Sequence, residues 1–172
     1  MTGIVRPPGP GRVVELRPIT PEDRRFLLDL YATTRAAELA LVPWDEATRR
    51  AFVTQQFDAQ DASWRRQNPD GTFDVVVVDG IRAGRLCVDR RADEVRVVDI
   101  TLAPEHRGQG VGTRLLTAVI AESEATGKAT TIHVERSNPA LRLYTRLGFE
   151  VVDDLGIYLF LRRPAGQPKT AS

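Results

Sequence analysis

The chain has 172 residues, a length that suits one domain built around a single hydrophobic core. Apolar residues make up 42% and charged residues 27%, as in ordinary globular proteins, and the formal net charge is +1. A charge so close to zero gives no electrostatic reason to expect nucleic acid or a membrane as a partner. The single cysteine, Cys87, excludes an internal disulfide and a cysteine metal cluster.

The two ends of the chain differ in composition from the rest. Residues 1–12 are rich in proline and glycine and lack the apolar stretch of a signal peptide. No apolar run in the sequence is long enough to span a membrane. We therefore expect a flexible arm over 1–12, a single domain over 13–163, a flexible tail over 164–172, and a cytoplasmic location.

The first half of the domain shows a strand, two helices and three more strands, predicted over residues 13–17, 21–40, 46–66, 72–78, 81–89 and 94–102. Thr20 and Asp45 are suitable helix caps, and Pro21 suits the first helical position. Asp79-Gly80 is a strong hairpin signal between two of the strands. Three antiparallel strands in succession are therefore expected.

The apolar pattern of the last of these strands slips by one residue. Val95 and Val97 alternate in one phase, whereas Val98, Ile100 and Leu102 alternate in the other. A β-bulge inserts one extra residue, shifts the phase in this way and splays the strand from its neighbour. The alternative is that one of the two adjacent valines packs on a second buried face.

A glycine-rich turn follows this strand and opens the next helix. Gly108, Gly110 and Gly112 can adopt positive φ and leave no Cβ in the way of a ligand, while the first N–H groups of the helix attract phosphate. A P-loop would need a lysine before Thr113, and a dinucleotide fingerprint would need a different glycine spacing near the N-terminus. The pattern that remains is Arg-x-x-Gly-x-Gly, beginning at Arg107.

The rest of the chain shows a helix, a strand, a helix and two strands, predicted over 113–126, 129–134, 139–147, 149–152 and 157–161. The complete order is β-α-α-β-β-β-α-β-α-β-β. This order indicates an α/β domain in which helices cover both faces of a mixed sheet.

Two segments resemble the GNAT superfamily of N-acetyltransferases: Leu102 to Gly112, and Asn138 to Phe149, which reads N-x-x-x-x-x-Y-x-x-x-G-F. The element order is similar to that fold as well. The resemblance implies an α/β (α+β) GNAT-like fold with a mostly antiparallel sheet, acetyl-CoA as co-substrate and no metal. It also implies that the cofactor is held by Ile100, Leu102, Arg107, Gly108, Gln109, Gly110, Val111, Gly112, Thr113 and Asn138.

The same resemblance suggests catalytic roles. Tyr144 would protonate the departing thiolate, a task within reach of a phenol, and the backbone N–H of Leu102 would bind the developing oxyanion. By its position on the helix, Tyr144 could also simply pack in the core. Asn138 could contact the cofactor or cap its helix.

The proton acceptor and the amine site are less sharply indicated. Asp99, just after the slip, is one candidate base, and the resemblance suggests Glu94, at the start of the strand, as another. Either could be a solvated charge, and ordered water is the third possible proton acceptor. The resemblance places the acceptor site at the first two helices and their connection. Acidic and aromatic residues there, Glu38, Trp44 and Asp45, suit a cationic amine, although Asp45 also suits a helix cap.

We therefore predict an acetyl-CoA-dependent N-acetyltransferase that transfers an acetyl group directly to a primary amine of a small molecule or peptide. One alternative is a non-catalytic acyl-CoA-binding module of the same fold. Others are a transferase of longer acyl chains or to a hydroxyl, and a partner-binding protein without CoA affinity. Because members of the superfamily are often dimers, the resemblance also makes a homodimer one option.

Overall fold

The computed structural model describes residues 3–5 and 11–166. In chain order its elements are β1 (Gly3–Val5), β2 (Val14–Pro18), α1 (Arg24–Leu39), α2 (Glu46–Gln67), β3 (Thr72–Val78), β4 (Ile81–Arg90), β5 (Glu94–Leu102), α3 (Val111–Ala125), β6 (Ala129–Glu135), α4 (Leu141–Arg146), β7 (Glu150–Asp154) and β8 (Tyr158–Arg163). Short 3-10 turns, Pro21–Asp23 and Pro104–His106, precede α1 and α3. The strands form one sheet in the order β1-β2-β3-β4-β5-β6-β8-β7, antiparallel except between β5 and β6. The predicted α/β class and mostly antiparallel sheet are confirmed.

The N-terminal segment contains an element that the sequence does not signal. Gly3–Val5 pairs antiparallel with β2, with Gly3 opposite Leu16. Three residues are too few for side-chain alternation to reveal a strand, so pairing with the edge of β2 decides its position. Residues 1–2, 6–10 and 167–172, which belong to the expected arm and tail, lie outside the described residues.

Two hydrophobic clusters lie on opposite faces of the sheet. The larger cluster joins β5 and β6 to α3 and α4, with Val97, Leu115 and Ile132 among its fully buried members. The smaller lies under α1 and α2 and includes Leu30 and Phe57. Each buried side chain of this size stabilises the fold by about 1.5–3 kcal/mol relative to an exposed one. No helix among residues 3–5 and 11–166 combines the length and apolar character needed to cross a bilayer.

The bulge expected in β5 is confirmed. Val88 of β4 pairs with Val97, and the next residue of β4, Cys87, pairs with Asp99. Val98 is therefore the extra residue, without a partner on β4. Beyond it, Ile100 and Leu102 pack against the same cluster as Val97, so the bulge restores the buried face.

The bulge marks the point at which β5 leaves β6. The two strands pair from Glu94 opposite Ala129 to Val97 opposite Ile132, and no pairing between them follows within the described residues. β6 instead continues to pair with β8 as far as Glu135. We call the opening between residues 98–102 of β5 and 133–135 of β6 the β5–β6 gap.

Candidate functional site

The glycine-rich turn lies at the end of β5 that borders the gap. Gly108 and Gly110 have φ of 68° and 79°, which only glycine adopts readily, and a Cβ added to either would meet open space. Gly110 caps α3 without a side-chain acceptor. Within the described residues, no hydrogen bond is donated by the main-chain N–H groups from Gly108 to Thr113. These groups at a helix N-terminus are suited to an anion such as a diphosphate.

The side chains of the turn tie it to its surroundings. Arg107 donates through Nε to the carbonyl oxygen of Leu102 at 2.8 Å and through Nη2 to Thr33 of α1 at 3.2 Å. Gln109 donates to the carbonyl oxygen of Glu105 at 2.6 Å. The phosphate contacts expected of Arg107, Gln109, Val111 and Thr113 stay predictions, and the observed bonds fix the shape of the turn.

Two glycines near the turn differ in how closely they are packed. A Cβ on Gly112 would lie 3.8 Å from Leu102 and from Leu143, which is ordinary van der Waals contact. A Cβ on Gly84 of β4 would lie 2.3 Å from the carbonyl oxygen of Thr101. Sequence reasoning missed Gly84, although an isolated glycine inside a strand pattern is a known sign of close backbone approach.

Tyr144 lies in the larger hydrophobic cluster, which also includes Val97 of β5. It is 3% exposed, and its ring packs edge-on against Phe149 with centroids 5.7 Å apart. Its hydroxyl has no hydrogen-bond partner within the described residues. Burial raises the pKa of Tyr144 well above its usual range, and the negative charge of Asp99 raises that pKa further. The phenol is therefore protonated at neutral pH and lies within electrostatic reach of Asp99.

Asp99 belongs to a network on the α2 face of the sheet. Its Oδ2 accepts a hydrogen bond from Nε of Arg85 at 2.9 Å, and Thr101 donates to the same carboxylate. Arg85 is itself buried and lies over the ring of Trp64, 4.9 Å from its centroid. The carboxylate is thus held by two donors beside the bulge, and a role as base would use its remaining lone pairs.

Glu94, the second candidate base, lies at the paired end of β5. Its carboxylate is 2.6 Å from Nη2 of Arg96 and 3.4 Å from Nη1 of Arg91. It stands opposite Ala129, before the gap opens. Because two guanidinium groups hold the Glu94 carboxylate and the residue lies outside the gap, a structural ion pair is favoured over a role as base.

An open cavity of about 360 Å³ lies on the α2 face where β5 and β6 part. It is formed by the end of α2, the β4–β5 turn, β5, β6 and the β7–β8 hairpin, and is lined by Trp64, Gln67, Asn68, Arg91, Arg96, Val97, Val98, His133, Leu155 and Tyr158. Its walls include the bulge residue and the first residue of β6 beyond the pairing. Sequence reasoning missed this group because its members are far apart in the chain.

The three residues expected to bind the amine do not line this cavity. Asp45 caps α2 by accepting a hydrogen bond from the N–H of Thr48 at 2.7 Å, and that bond lowers its pKa. Glu38 pairs with Arg35, and Trp44 packs edge-on against Phe52. Their part in acceptor binding stays a prediction, and capping is the observed role of Asp45.

Asn138 lies at the start of α4. Oδ1 of Asn138 accepts from the N–H of Ala140 at 2.8 Å, so α4 begins at Leu141, two residues after the predicted start. Its Nδ2 atom makes no hydrogen bond within the described residues. His106, in the 3-10 turn before α3, is buried. Among the residues described, no cluster of three or more His, Cys, Asp or Glu side chains could hold a metal.

Comparison with known proteins agrees with this geometry. The family model of the acetyltransferase (GNAT) family matches residues 34–149. The PaiA N-acetyltransferase from Thermoplasma acidophilum, crystallised in complex with coenzyme A, is similar over 88% of this chain and 98% of its own, with a TM-score of 0.65 and 19% identity. An acetyltransferase from Thermus thermophilus matches with a TM-score of 0.63 and 20% identity over 88% of this chain and 96% of its own. The ribosomal-protein-S18-alanine N-acetyltransferase from Escherichia coli matches with a TM-score of 0.59 and 21% identity over 91% of this chain and 97% of its own.

At these identities the solved structures establish a common fold. The family model covers well over half of the chain and spans the bulged strand, the glycine-rich turn and Tyr144. This chain therefore belongs to the acetyltransferase (GNAT) family.

Proposed function

We propose that this protein transfers an acetyl group from acetyl-CoA to a primary amine. The observation that carries the proposal is the combination of the β5–β6 gap with unpaired N–H groups in the turn beside it. The first feature suits an extended thioester arm and the second suits a diphosphate. Acetyl-CoA has both parts, joined in one molecule.

The proposed binding mode follows from the unpaired groups. The diphosphate lies against the N–H groups from Gly108 to Thr113, where the positive end of the α3 dipole adds to the attraction. The pantetheine arm lies along β5 beyond Val97, and its amides bond to the strand edge that β6 has left, as an added strand would. This places the thioester near the bulge, between Tyr144 and Asp99.

The proposed reaction is a direct acyl transfer. The neutral amine attacks the thioester carbonyl, a C–N bond forms, and the C–S bond breaks to release the thiolate of coenzyme A. Tyr144, whose phenol is protonated at neutral pH, gives its proton to that thiolate. Asp99, directly or through water, accepts the proton that the amine loses, and its pairing with Arg85 holds it in place.

Replacement of Tyr144 tests the catalytic part of the proposal. Tyr144→Phe removes the proton donor and leaves the ring packing, so we expect kcat to fall about 10–100-fold. The dissociation constant for acetyl-CoA, measured by calorimetry, should stay within about twofold. The matched control is Tyr31→Phe, which changes another buried tyrosine, in the cluster under α1 and α2. An unchanged kcat for Tyr144→Phe would show that this residue only packs.

The homodimer implied by the resemblance remains a prediction. Sedimentation equilibrium of the full chain, with and without coenzyme A, measures it directly.

A further inference from the structure

The cavity on the α2 face has a one-sided charge. Arg91 and Arg96 line it, whereas no aspartate or glutamate lines it among the residues that the structure describes. The carboxylates that balance these arginines, Asp89 and Glu94, are largely buried and do not line the cavity. An acceptor in the cavity therefore meets guanidinium groups, which attract an anion and oppose a polycation.

Arg96 has hydrogen-bonding capacity to spare. Its Nη2 atom is 2.6 Å from Glu94, while its Nη1 atom makes no hydrogen bond within the described residues. A guanidinium N–H without a protein acceptor can donate to a ligand carboxylate in the cavity. The guanidinium also lies over the ring of Phe160, 5.7 Å from its centroid, which limits its movement.

His133 extends the polar lining of the cavity to the mouth of the gap. It is the first residue of β6 beyond the pairing with β5, and it stacks on Phe160 with centroids 4.6 Å apart. Burial lowers the pKa of His133, and the positive charges of Arg96 and Arg91 lower that pKa further, against an opposing effect of Glu94. One side of the cavity, next to the gap, is therefore formed by Arg91, Arg96 and His133.

The remaining walls indicate the size and polarity of the rest of the acceptor. Trp64, Leu155 and Tyr158 give the cavity an apolar and aromatic side, and the amides of Gln67 and Asn68 add hydrogen-bonding groups. A volume of about 360 Å³ is that of a small-molecule site.

We propose that the acceptor amine is an amino acid or a close derivative, whose carboxylate pairs with Arg96 and whose apolar side chain lies against Trp64 and Tyr158. This inference rests on the proposed acetyl transfer and narrows its substrate class. It differs from the cationic amine suggested by Glu38, Trp44 and Asp45, none of which lines the cavity.

The binding test uses product-like ligands that differ only in charge. Full-length protein saturated with coenzyme A is titrated calorimetrically with N-acetyl-L-leucine and with its neutral amide. We expect the acid to bind at least about tenfold more tightly, because only the acid offers a carboxylate to Arg96. Equal affinities, or tighter binding of the amide, would overturn the inference whatever the enzyme's activity.

Variants then assign the effect to one side chain. Arg96→Gln should reduce the acid-to-amide preference to about twofold or less, and Arg96→Lys should restore part of it. The control is Arg50→Gln, which removes a positive charge from the exposed surface of α2, outside the cavity, and should leave the preference unchanged. A preference that survives in a folded Arg96→Gln protein contradicts the assignment.

A turnover assay separates this inference from the proposed function. L-leucine, L-leucinamide, isopentylamine and spermidine are compared by release of coenzyme A thiol. Transfer to leucine at a kcat/KM at least about tenfold above that of the other three supports both proposals. Transfer to leucinamide, isopentylamine or spermidine with equal or greater kcat/KM upholds acetyl transfer and overturns the amino-acid acceptor. If acetyl-CoA binds and none of the amines is acetylated, the proposed function and an acceptor role for the cavity both fail.

Discussion

The two edges of β5 differ in how far they pair with the neighbouring strands. On one edge, pairing with β4 runs through the bulge to Leu102, opposite Gly84. On the other, pairing with β6 stops at Val97 and leaves the rest of the strand open. A single extra residue is thus enough to free one side of a central strand while the other side stays hydrogen-bonded.

The edge of β5 that pairs with β4, here called the closed edge, holds the end of the strand in place. The edge that faces β6, here called the open edge, has no such pairing with β6 beyond Val97. Gly84 lets β4 approach so closely that a Cβ there would overlap the carbonyl oxygen of Thr101. Just beyond, the N–H of Ala103 donates to the carbonyl oxygen of Ala83 at 2.8 Å. Contacts to β4 therefore keep the end of β5 in place, and the open edge is free to bind an extended ligand.

Removal of the bulge should abolish the difference in pairing between the two edges of β5. Deletion of Val98 leaves strict alternation, because Val97, Ile100 and Leu102 then share one face and Asp99 and Thr101 the other. We expect a folded protein in which β5–β6 pairing extends past Val97 and closes the gap. Affinity for coenzyme A, measured by calorimetry, should fall about 1000-fold.

The control for this deletion is Val98→Ala, which keeps the extra residue. Its affinity for coenzyme A should match that of the unchanged chain within about twofold. Tight binding of coenzyme A by the folded deletion variant would show that the gap is not the site of the pantetheine arm.

A change on the closed edge should affect stability rather than binding. Gly84→Ala forces a methyl group against the backbone of Thr101, so we expect a loss of about 3 kcal/mol in the free energy of unfolding, measured with urea. Gly112→Ala is the matched control, because its Cβ finds 3.8 Å contacts and a helical position that favours alanine. That variant should gain up to about 1 kcal/mol, and equal effects of the two changes would refute the distinction.

The role of the glycine-rich turn in diphosphate binding is tested by placing a negative charge at the start of α3. In Gly110→Asp the new carboxylate would occupy the free N–H groups and repel a diphosphate, so affinity for coenzyme A should fall about 100-fold. Gly80→Asp introduces the same residue at a nearly identical φ, 81° against 79°, in the distant β3–β4 hairpin. If both variants weaken binding equally, the loss reflects backbone strain and not the turn.

The smallest effect concerns the two carboxylates of β5. The substitution Asp99→Asn, at the gap, should lower kcat about tenfold, because water can replace part of the function of this carboxylate. Glu94, at the paired end, should leave kcat within about twofold when changed to Gln. Steady-state kinetics with saturating acetyl-CoA measures both, and the reverse order of effects would exchange their roles.

Local patterns were sufficient for most of the fold. Alternation and turn residues identified every strand from β2 onward, and the slip at Val97 and Val98 located the bulge. The glycine-rich turn was recognisable because positive φ and unpaired N–H groups depend on adjacent residues. These features are all determined within a few residues of the chain.

Features that depend on distant contacts could not be predicted in this way. The cavity on the α2 face joins Trp64, Arg96 and Tyr158, which no spacing rule connects. The pairing of Asp99 with Arg85 depends on strand register, and the short strand β1 depends on the free edge of β2. The role of Asp45 cannot be predicted from the sequence, because a carboxylate at this position can cap a helix or bind a ligand. The hydrogen bond from the N–H of Thr48 shows the cap.

The burial of Cys87 has a practical consequence. It is the only cysteine in the chain, it is fully buried opposite Asp99, and burial raises the pKa of its thiol far above neutrality. Because thiol reagents react with the exposed thiolate, the native protein should contribute almost no background to a colorimetric assay of the thiol of coenzyme A. In the proposed reaction, the same shielding prevents a mixed disulfide between the protein and the coenzyme A that is released.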